Sequence, residues 1–394
     1  MYVVVSYGMG ADSTALLVEW LERPASRPRE LLPDLSNLIV ITAQPGQEWV
    51  ETAMLVEQHI YPLLAKHRVR MVQVARAGPY ERDGIVVLDD TREPILCLTT
   101  GGTYTLPGEM TSNATVPQSG GRRTHSIKFK GWAIDQWMTQ TIGDEPYIHV
   151  LGYEANELER VLRDGPLGLP NRIPIYPLVT WGWDRDDCEW FLWDHFKVWW
   201  PKSACVACPF SFSLGSRAES IRRFQRNPHQ GVEALVMEYL AVAVNPLQGL
   251  LAGKQLYHLL ASTPGSGPLL ALFEQQLNDM PWAVYDVRRA YAARGGDHTK
   301  RGTTRRSLAR LAVGSRAETV ARLERAAHLR GCRLDIGSDG RFRRVWWRHR
   351  ELFYPTAQHL LTAGPDLADD KTLPAFAEAW RAGLRGAPQL SLAI

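Results

Sequence analysis

The amino-acid sequence predicts an α/β fold for the first part of the chain, in which strands of a parallel sheet alternate with helices. Runs of β-branched and other apolar residues at 2–7, 37–42 and 69–74 have the length and composition of buried strands. Between these runs, 13–22 and 49–66 are predicted as helices. Strands and helices that alternate at these lengths indicate parallel βαβ units.

The middle of the chain continues this pattern after an interruption. Residues 97–124 are rich in Gly, Pro, Thr and Ser and predict a long loop, and loops of this length are usually functional or disordered. Residues 127–140 then predict a helix, and the apolar run at 147–153 predicts a further strand.

The pattern becomes mostly helical beyond Ser211, and 232–244 is the clearest helix of this part. The turn sequence at 337–340 is an exception, because its glycines and Ser-Asp pair predict a hairpin. We therefore predict an amino-terminal domain at 1–225 and a mostly helical carboxy-terminal domain at 226–394.

Length and composition fit a globular protein of two or three domains with a substantial core. The chain has 394 residues, of which 45% are hydrophobic and 22% charged. No apolar run approaches the roughly 18–20 residues of a membrane helix, and no signal peptide is visible. We therefore expect a cytoplasmic protein with no membrane partner. In that reducing compartment the five cysteines do not predict a disulfide framework, and the close pair Cys205 and Cys208 predicts a metal or redox site.

Positive charge is concentrated in the segment 294–350, which holds 16 Lys and Arg residues against 5 Asp and Glu residues. Such a local surplus predicts contact with DNA or RNA, because arginines neutralise phosphates and aromatic rings stack on bases. The alternative is a solvated helix face together with a hairpin whose tryptophans lie in the core. The residues concerned are Arg301, Arg305, Arg306, Arg310, Arg341, Arg343, Arg344, Arg348 and Arg350, with Phe342, Trp346 and Trp347.

The loop after the first strand carries the features of a phosphate-binding loop. Gly8 and Gly10 allow a close backbone approach, and the hydroxyl groups of Ser13 and Thr14 follow at the start of the predicted helix. The amino terminus of that helix adds a favourable dipole for an anion. The alternative is an ordinary strand-to-helix turn in which Asp12 caps the helix.

Ser6-Tyr7-Gly8-Met9-Gly10-Ala11-Asp12-Ser13-Thr14 resembles the PP-loop of ATP pyrophosphatases, which is usually written S-G-G-x-D-S. Met9 replaces a glycine of that motif. Three later segments are similar to the phosphoadenosine-phosphosulfate-reductase-like branch of this superfamily. They are Ala43–Glu48 with Thr52 (A-D-T-G-x-E), Leu151–Arg160 (L-G-x-x-A-D-E-x-x-R) and Ser203–Phe210 (C-x-x-C-P-F). Gln44 and Asn156 depart from these patterns, and the likeness covers about residues 1–225.

The resemblance implies an adenine-nucleotide alpha-hydrolase-like (HUP/PP-loop) domain that binds ATP with Mg²⁺ at the carboxyl end of its sheet. Such proteins split ATP into AMP and pyrophosphate and adenylate an oxygen of a second substrate. The resemblance implies nucleotide-binding roles for Ser6, Gly8, Gly10, Asp12, Ser13, Thr14, Glu48 and Glu157. Catalytic roles fall to Asp12, Ser13, Lys130 and Arg160, and Lys128 is a further candidate to neutralise phosphate charge.

The pair Cys205 and Cys208 has the C-x-x-C spacing that lets two thiolates bind one metal ion. Several relatives, including the ATP-pyrophosphatase component of DNA phosphorothioation systems, carry an iron–sulfur cluster on such a pair. Cys188 and His125 are candidates for the other ligands, and His125 stands where that branch usually has a cysteine. A [4Fe–4S] cluster and a zinc ion both stay open, as does a buried cysteine pair without metal.

These features predict an ATP-dependent adenylating enzyme that acts on a nucleic acid or nucleotide, with sulfur insertion as the leading chemistry and a sulfur-donor protein as a partner. One alternative is an amide- or nitrile-forming ligase of the same fold. Another is a nucleotide-binding regulatory or defence protein without turnover. A true phosphosulfate reductase is disfavoured, because its nucleophilic cysteine usually lies in the carboxy-terminal tail and Cys332 is the last cysteine here.

Overall fold

The structure is a computed structural model that describes residues 1–93, 97–117, 124–164, 170–212, 215–251 and 254–386. The chain forms two compact units. The first contains Met1–Glu109 and Gly120–Ser211, and the second contains Met110–Ser119 and Phe212–Ile394. Among the described residues, no helix combines the length and the apolarity that crossing a bilayer requires.

The first unit is built on a six-stranded, mostly parallel sheet, which confirms the α/β class. Its strands are β1 (Tyr2–Ser6), β2 (Leu38–Ala43), β3 (Arg70–Arg76), β4 (Ile85–Thr91), β5 (Tyr147–Leu151) and β6 (Arg172–Ile175). They lie in the order β4-β3-β2-β1-β5-β6, and β4 alone runs antiparallel to its neighbour. The direction of connection therefore reverses between β1 and β5. In open α/β sheets a ligand binds at such a switch point, outside the carboxyl ends of the strands.

Helices cover both faces of this sheet. They are α1 (Ala11–Glu22), α2 (Val50–Leu55), α3 (Tyr61–Lys66), α4 (Leu106–Ser112, shared between the units), α5 (Thr124–Ser126), α6 (Trp132–Thr141), α7 (Leu158–Asp164), α8 (Pro177–Trp181) and α9 (Arg185–Phe196). Single π-helical turns at Val56–Ile60 and Ile127–Gly131 join α2 to α3 and α5 to α6.

Strand β1 is buried on both faces, which is why its sequence is continuously apolar rather than alternating. Val3 and Val5 pack with Leu16 of α1 on one side of the sheet. Val4 packs with Trp137 of α6 on the other side. The two cores hold β1 at the centre of the sheet and thereby fix the position of the loop that follows it.

The second unit is not mostly helical, and this prediction was wrong. Alongside α10 (Arg217–Arg226), α11 (Pro228–Val244), α12 (Leu256–Ala261), α13 (Gly267–Asp279), α14 (Arg316–Leu329) and α15 (Phe376–Arg385), the unit contains an antiparallel sheet. Its strands are β7 (Trp282–Arg294), β8 (Asp297–Gly314), β9 (Leu334–Asp335), β10 (Arg344–Arg348), β11 (Thr356–Pro365) and β12 (Lys371–Thr372). They lie in the order β12-β8-β7-β11-β10-β9.

The long hairpin of β7 and β8 was missed because arginines interrupt the alternation of apolar and polar residues along β8. A two-residue turn of Gly295 and Gly296 connects the strands, and both glycines have positive φ values, 58° and 82°. Turns of this kind match the twist of an antiparallel pair. The smaller predicted hairpin is confirmed, since β9 and β10 pair across the turn at 337–340.

A short segment from the middle of the chain, Met110–Ser119, belongs to the second unit. The backbone oxygen of Asn113 accepts a 2.5 Å hydrogen bond from the Arg306 guanidinium, and its side chain accepts one from Lys371. Ala114 is buried in the core of this unit beside Leu308. The second unit is therefore assembled from two separate stretches of sequence.

Candidate functional site

The loop after β1 has a constrained backbone. Met9 is fully buried and has a φ of 60°, in the left-handed region that non-glycine residues rarely adopt. Its carbonyl oxygen accepts a 3.0 Å hydrogen bond from the indole nitrogen of Trp200. Helix α1 then begins at Ala11 with Gly10 as its N-cap residue. Asp12 lies inside the first turn, so the alternative in which Asp12 caps the helix is wrong.

The segment that precedes the cysteine pair packs directly on this loop. The Ser203 hydroxyl donates a 2.6 Å hydrogen bond to the backbone oxygen of Gly8. A Cβ atom on Gly10 would lie 3.0 Å from the Ser203 Cβ atom, whereas a Cβ atom on Gly8 would meet only the Ser13 hydroxyl at 3.8 Å. A side chain at Gly10 would therefore crowd Ser203, whereas Gly8 faces open space.

The loop after β5 meets the amino terminus of α1. A Cβ atom on Gly152 would lie 3.0 Å from the Ser13 Cα atom and 3.1 Å from its backbone nitrogen. Gly152 thus permits β5 and α1 to approach closely at the switch point. This contact places 151–160, which the sequence analysis had selected separately, beside the loop after β1.

The predicted hydroxyl ligands have different surroundings. Thr14 is fully buried, and its hydroxyl group lies 3.1 Å from the phenol oxygen of Tyr7. Ser13 is largely buried and donates a weak 3.4 Å hydrogen bond to the Gly10 oxygen. The Ser6 hydroxyl lies 2.7 Å from Nε2 of His149. The side chain of Thr14 therefore serves internal packing, and its backbone N–H group donates to the Gly10 oxygen at 3.0 Å, so neither group of Thr14 is directed to a nucleotide.

Charged side chains of α7, α9 and the β5 loop gather around Asp12. The Arg185 guanidinium lies 3.4 Å from both carboxylate oxygens of Asp12. Burial raises the pKa of Asp12, and Arg185 lowers it. Burial also raises the pKa of Glu154 to about 7, helped by the charges of Asp12 and Glu157. Without a ligand, the negative charges of these carboxylates repel each other. A cation, or a cationic group of a ligand, bound among them therefore stabilises their charged forms.

Arg160 lies beside these carboxylates. It forms an ion pair with Glu157, and its guanidinium carbon lies 4.2 Å from the ring centre of Tyr153. The structure thus brings together Asp12, Glu157 and Arg160, three of the residues that the resemblance implied.

The cysteine pair forms a turn that is held by the loop after β2. The backbone nitrogen atoms of Val206 and Ala207 donate to the backbone and side-chain oxygens of Gln47, at 2.9 and 3.3 Å. Burial raises the pKa of the Cys205 thiol to about 12, although Lys130 lowers it. Burial lowers the pKa of Lys130, but Cys205, Glu48 and Cys208 together raise it above its usual value. Lys130 and Glu48 therefore lie beside the cysteine pair.

The four predicted metal ligands are not brought together. The charged neighbours of Cys188 are Asp12, Glu154, Arg185 and Asp187, and burial raises the pKa of its thiol. His125 instead has Glu109 and Lys128 as charged neighbours. Among the residues that the structure describes, no three His, Cys, Asp or Glu side chains form a group that could hold a metal ion. Cys205 and Cys208 alone stay adjacent, and a metal on this pair stays a prediction.

Several residues of this region were missed in the sequence. Ser203, Arg185 and His149 contact the loop after β1 across 195, 173 and 143 residues of sequence, respectively. A local sequence pattern does not show which distant residues meet in the fold. The capping box of Asp184 and Asp187 is a local signal, but it identifies only the start of α9, the helix that contains Arg185. Lys128 is paired with Glu109 at 2.7 Å.

Many arginines of the basic segment have structural roles within the second unit. Arg344 is almost fully buried and donates to the backbone oxygens of Ala243 and Val242 at 3.0 and 2.8 Å, at the end of α11. Arg306 donates to Asn113, and Arg341 pairs with Asp339. The net charge of the segment therefore overstates the charge that it presents to a partner.

Among the exposed cations of the basic segment, three flank the turn between β7 and β8, and others are Arg310, Arg322, Arg325, Arg330 and Arg333. We define the hairpin tip by Arg294, Lys300, Arg301 and Arg350, all of which are exposed. Arg350 lies over the ring of Tyr291 in β7, and the backbone nitrogen of Tyr354 donates to the His298 oxygen in β8. The hairpin tip is therefore one group of exposed cations in the basic segment.

The chain matches no family model, no curated protein and no solved structure. The residues and their arrangement therefore carry the functional inference. The arrangement with the most chemical content is the glycine loop at the switch point of the first sheet, with its surrounding Asp, Glu, Arg and Lys side chains.

Proposed function

We propose that this protein binds ATP with Mg²⁺ at the carboxyl edge of the first sheet and splits it into AMP and pyrophosphate. The observation that carries the proposal is the position of the loop after β1. It enters α1 between β1 and β5, where the strand order reverses, and Gly8 leaves its backbone open to a ligand. The resemblance of this loop to a PP-loop supports the same assignment.

The proposed reaction is transfer of the adenylyl group. An oxygen of the acceptor attacks the α-phosphorus, the bond to the β-phosphate oxygen breaks, and pyrophosphate leaves with the electron pair. Backbone N–H groups at the start of α1 bind the phosphates, and Lys130 and Arg160 offset the charge on the leaving pyrophosphate. Mg²⁺ neutralises phosphate charge, and Asp12 is the residue that would hold it, since this ion often takes one carboxylate plus phosphate oxygens.

A nucleic acid is the acceptor class that we favour. The hairpin tip presents three exposed cations on a two-stranded antiparallel ribbon and a fourth, Arg350, beside it, and such ribbons bind nucleic acids through phosphate contacts. These contacts are independent of base sequence, so the hairpin tip accounts for affinity rather than for choice of sequence.

Sulfur insertion is the chemistry that we favour for the second half-reaction. A sulfide-level sulfur supplied by a donor protein forms a bond to the adenylated atom of the acceptor, and the bond from that atom to the AMP oxygen breaks. The Cys205–Cys208 turn is our candidate to carry the sulfur or a metal centre. The two thiols fit half of a tetrahedral zinc or cluster site, but Cys188 and His125 do not complete it. We therefore derive no step through a metal at this pair.

The test is release of pyrophosphate from ATP and Mg²⁺, with and without duplex DNA or tRNA. We expect one adenylyl group on the acceptor for each pyrophosphate released, and faster release when the acceptor is present. Binding of ATP without any pyrophosphate would instead identify a nucleotide-binding regulatory protein. If ATP neither binds nor reacts, the proposal is wrong.

Substitution Gly8→Ala tests whether phosphates lie against the loop. The added methyl group has room in the protein alone, because its nearest neighbour is the Ser13 hydroxyl at 3.8 Å. We expect an unchanged melting temperature and a roughly tenfold loss of ATP affinity, equivalent to about 1.4 kcal/mol. Calorimetric titration and thermal melting give the two values. Equal affinity in Gly8→Ala and the wild type would place the nucleotide elsewhere.

Substitution Cys208→Ser separates sulfur insertion from the ligase alternative. We expect pyrophosphate release to persist, because the cysteine turn contacts the loop after β2 through backbone groups, while sulfur incorporation from a ³⁵S-labelled donor falls to background. Cys332→Ser is the matched control, since Cys332 lies in the second unit. Activity that never depends on sulfur or on Cys208 would favour an amide- or nitrile-forming ligase.

A further inference from the structure

A chain of hydrogen bonds runs from the end of β1 across the sheet to the end of α7. The Ser6 hydroxyl lies 2.7 Å from Nε2 of His149 in β5, and Nε of Arg172 in β6 lies 2.6 Å from Nδ1 of the same ring. A second guanidinium nitrogen of Arg172 donates to Asp164 at 2.6 Å, and the Tyr176 hydroxyl donates to the same carboxylate oxygen at 2.7 Å. The chain links three adjacent strands, from the carboxyl end of β1 through the middle of β5 to the first residue of β6.

The direction of each proton in this chain follows from the donors available. Nε of Arg172 can only donate, so Nδ1 of His149 must accept and carries no proton. The ring proton then resides on Nε2, which donates to the Ser6 oxygen. The Ser6 proton is therefore not used by His149, and no other partner of this hydroxyl is found among the described residues.

The charged surroundings keep this arrangement in place. His149 is 5% exposed. Burial, and then the charge of Arg172, lower the pKa of His149 to about 3. Tyr147 packs near the ring at 6.1 Å, and the nearest carboxylates, Asp164 and Asp135, act on Arg172. The imidazole thus stays neutral, and its two nitrogen atoms keep distinct roles.

We infer that His149 is a positioning residue for the ligand site: by donating to the Ser6 oxygen, it leaves the Ser6 proton directed toward the phosphates of the bound nucleotide. Ser6 is the last residue of β1, two positions before Gly8, and lies at the carboxyl edge of the sheet. Arg172 and Asp164 fix the ring. The inference rests on the proposed nucleotide binding, but it assigns a role to a histidine that no motif marked.

This arrangement also selects among ligands. With its oxygen already accepting from His149, the Ser6 hydroxyl offers a donor toward the site, and a hydrogen bond from a neutral donor to a charged oxygen is stronger than one between neutral groups. The site therefore favours ionised phosphate oxygens over neutral hydroxyl or amide groups at the position next to Ser6.

A double-mutant cycle tests the coupling of the two side chains. We expect Ser6→Ala and His149→Leu each to weaken binding of Mg²⁺–ATP roughly tenfold, and the double variant to be no weaker than either one. His149→Gln, whose amide nitrogen stands in for Nε2, should restore most of the affinity. Titration calorimetry with ATP and with pyrophosphate gives the dissociation constants. Thermal melting of each variant reports folding.

The tautomer is measured separately, on the unliganded wild type. ¹⁵N spectra of labelled histidine should show a neutral ring protonated at Nε2 and no titration between pH 7 and 5. A ring protonated at Nδ1 would overturn the inference whether or not ATP binds. Additive effects of Ser6→Ala and His149→Leu on ATP affinity would overturn the inference about His149 and leave the proposed function standing. A wild-type protein that binds neither ATP nor pyrophosphate would overturn the proposed function and, with it, the ligand role of Ser6.

Discussion

Substitution Asp12→Asn is expected to lower pyrophosphate release at least about a hundredfold, the scale of losses seen when a group that stabilises transition-state charge is removed. Asp12 lies in the first turn of α1 at the loop after β1. Its carboxylate is the protein ligand that we assign to Mg²⁺, and an amide is a weaker ligand for this ion.

The same substitution should not destabilise the protein. Burial and the charges of Glu157 and Glu189 raise the pKa of Asp12, so the charged form is disfavoured in the unliganded fold. Removing that charge relieves repulsion, although it also releases a 3.4 Å contact with Arg185. Arg185 keeps its 2.6 Å ion pair with Glu189. We therefore expect an equal or higher melting temperature together with lost turnover, the combination that marks a functional rather than a structural residue.

Pyrophosphate release and thermal melting measure the two effects. The control is Asp186→Asn, which removes an exposed carboxylate from α9 and should leave both values unchanged. Loss of stability in parallel with loss of activity would assign Asp12 a structural role instead.

Substitution Glu238→Ala is expected to lower the free energy of unfolding of the second unit by about 3–5 kcal/mol. Glu238 lies in α11 and is 1% exposed. One carboxylate oxygen accepts from the backbone nitrogens of Leu250 and Leu256 at 2.9 and 2.7 Å, and the other accepts from Tyr257 at 3.1 Å. Truncation would leave three N–H groups without this acceptor, and each such buried group costs about 1–3 kcal/mol.

Chemical denaturation followed by the fluorescence of the tryptophans gives the free energy. Glu238→Gln keeps one oxygen acceptor and should lose less than half as much stability. Glu233→Ala, on the exposed face of the same helix, should change the value by less than about 0.5 kcal/mol. A loss of similar size in Glu233→Ala and Glu238→Ala would show that the hydrogen bonds of Glu238 are not the cause.

The sequence was sufficient for the parts of the fold in which local pattern and burial agree. Strands β1, β2 and β3 are continuous apolar runs because both of their faces are covered, and helices separate them at regular spacing. Strand β4 was missed because it is an edge strand with exposed polar positions and two aspartates. Strand β6 was missed because it has only four residues, one of them proline.

The candidate site was predictable only where neighbours in sequence are neighbours in space. The glycines and Asp12 of the first loop form one local motif, so their proximity follows from the chain itself. The contact of Ser203 with Gly8 and the chain from Ser6 to His149 depend on the packing of distant segments. No periodicity or spacing within a short segment carries that information.

The basic segment shows a limit of charge counting. A count treats every arginine as a surface charge, yet Arg344 is buried against the end of α11, where its guanidinium satisfies backbone oxygens that the helix leaves unbonded. Its positive charge is also favourable at a helix carboxyl terminus. The segment is thus partly a structural element of the second unit, and its exposed charge lies at the hairpin tip and on a further set of arginines, Arg310, Arg322, Arg325, Arg330 and Arg333.

The assignment of Met110–Ser119 to the second unit has a consequence for the order in which the protein is made. On the ribosome this segment emerges 193 residues before Arg306, the side chain that binds the backbone of Asn113. At about 5–20 residues per second, it waits on the order of ten to forty seconds for that partner. During this time Met110 and Val116, both buried in the finished protein, are available to chaperones and to other nascent chains.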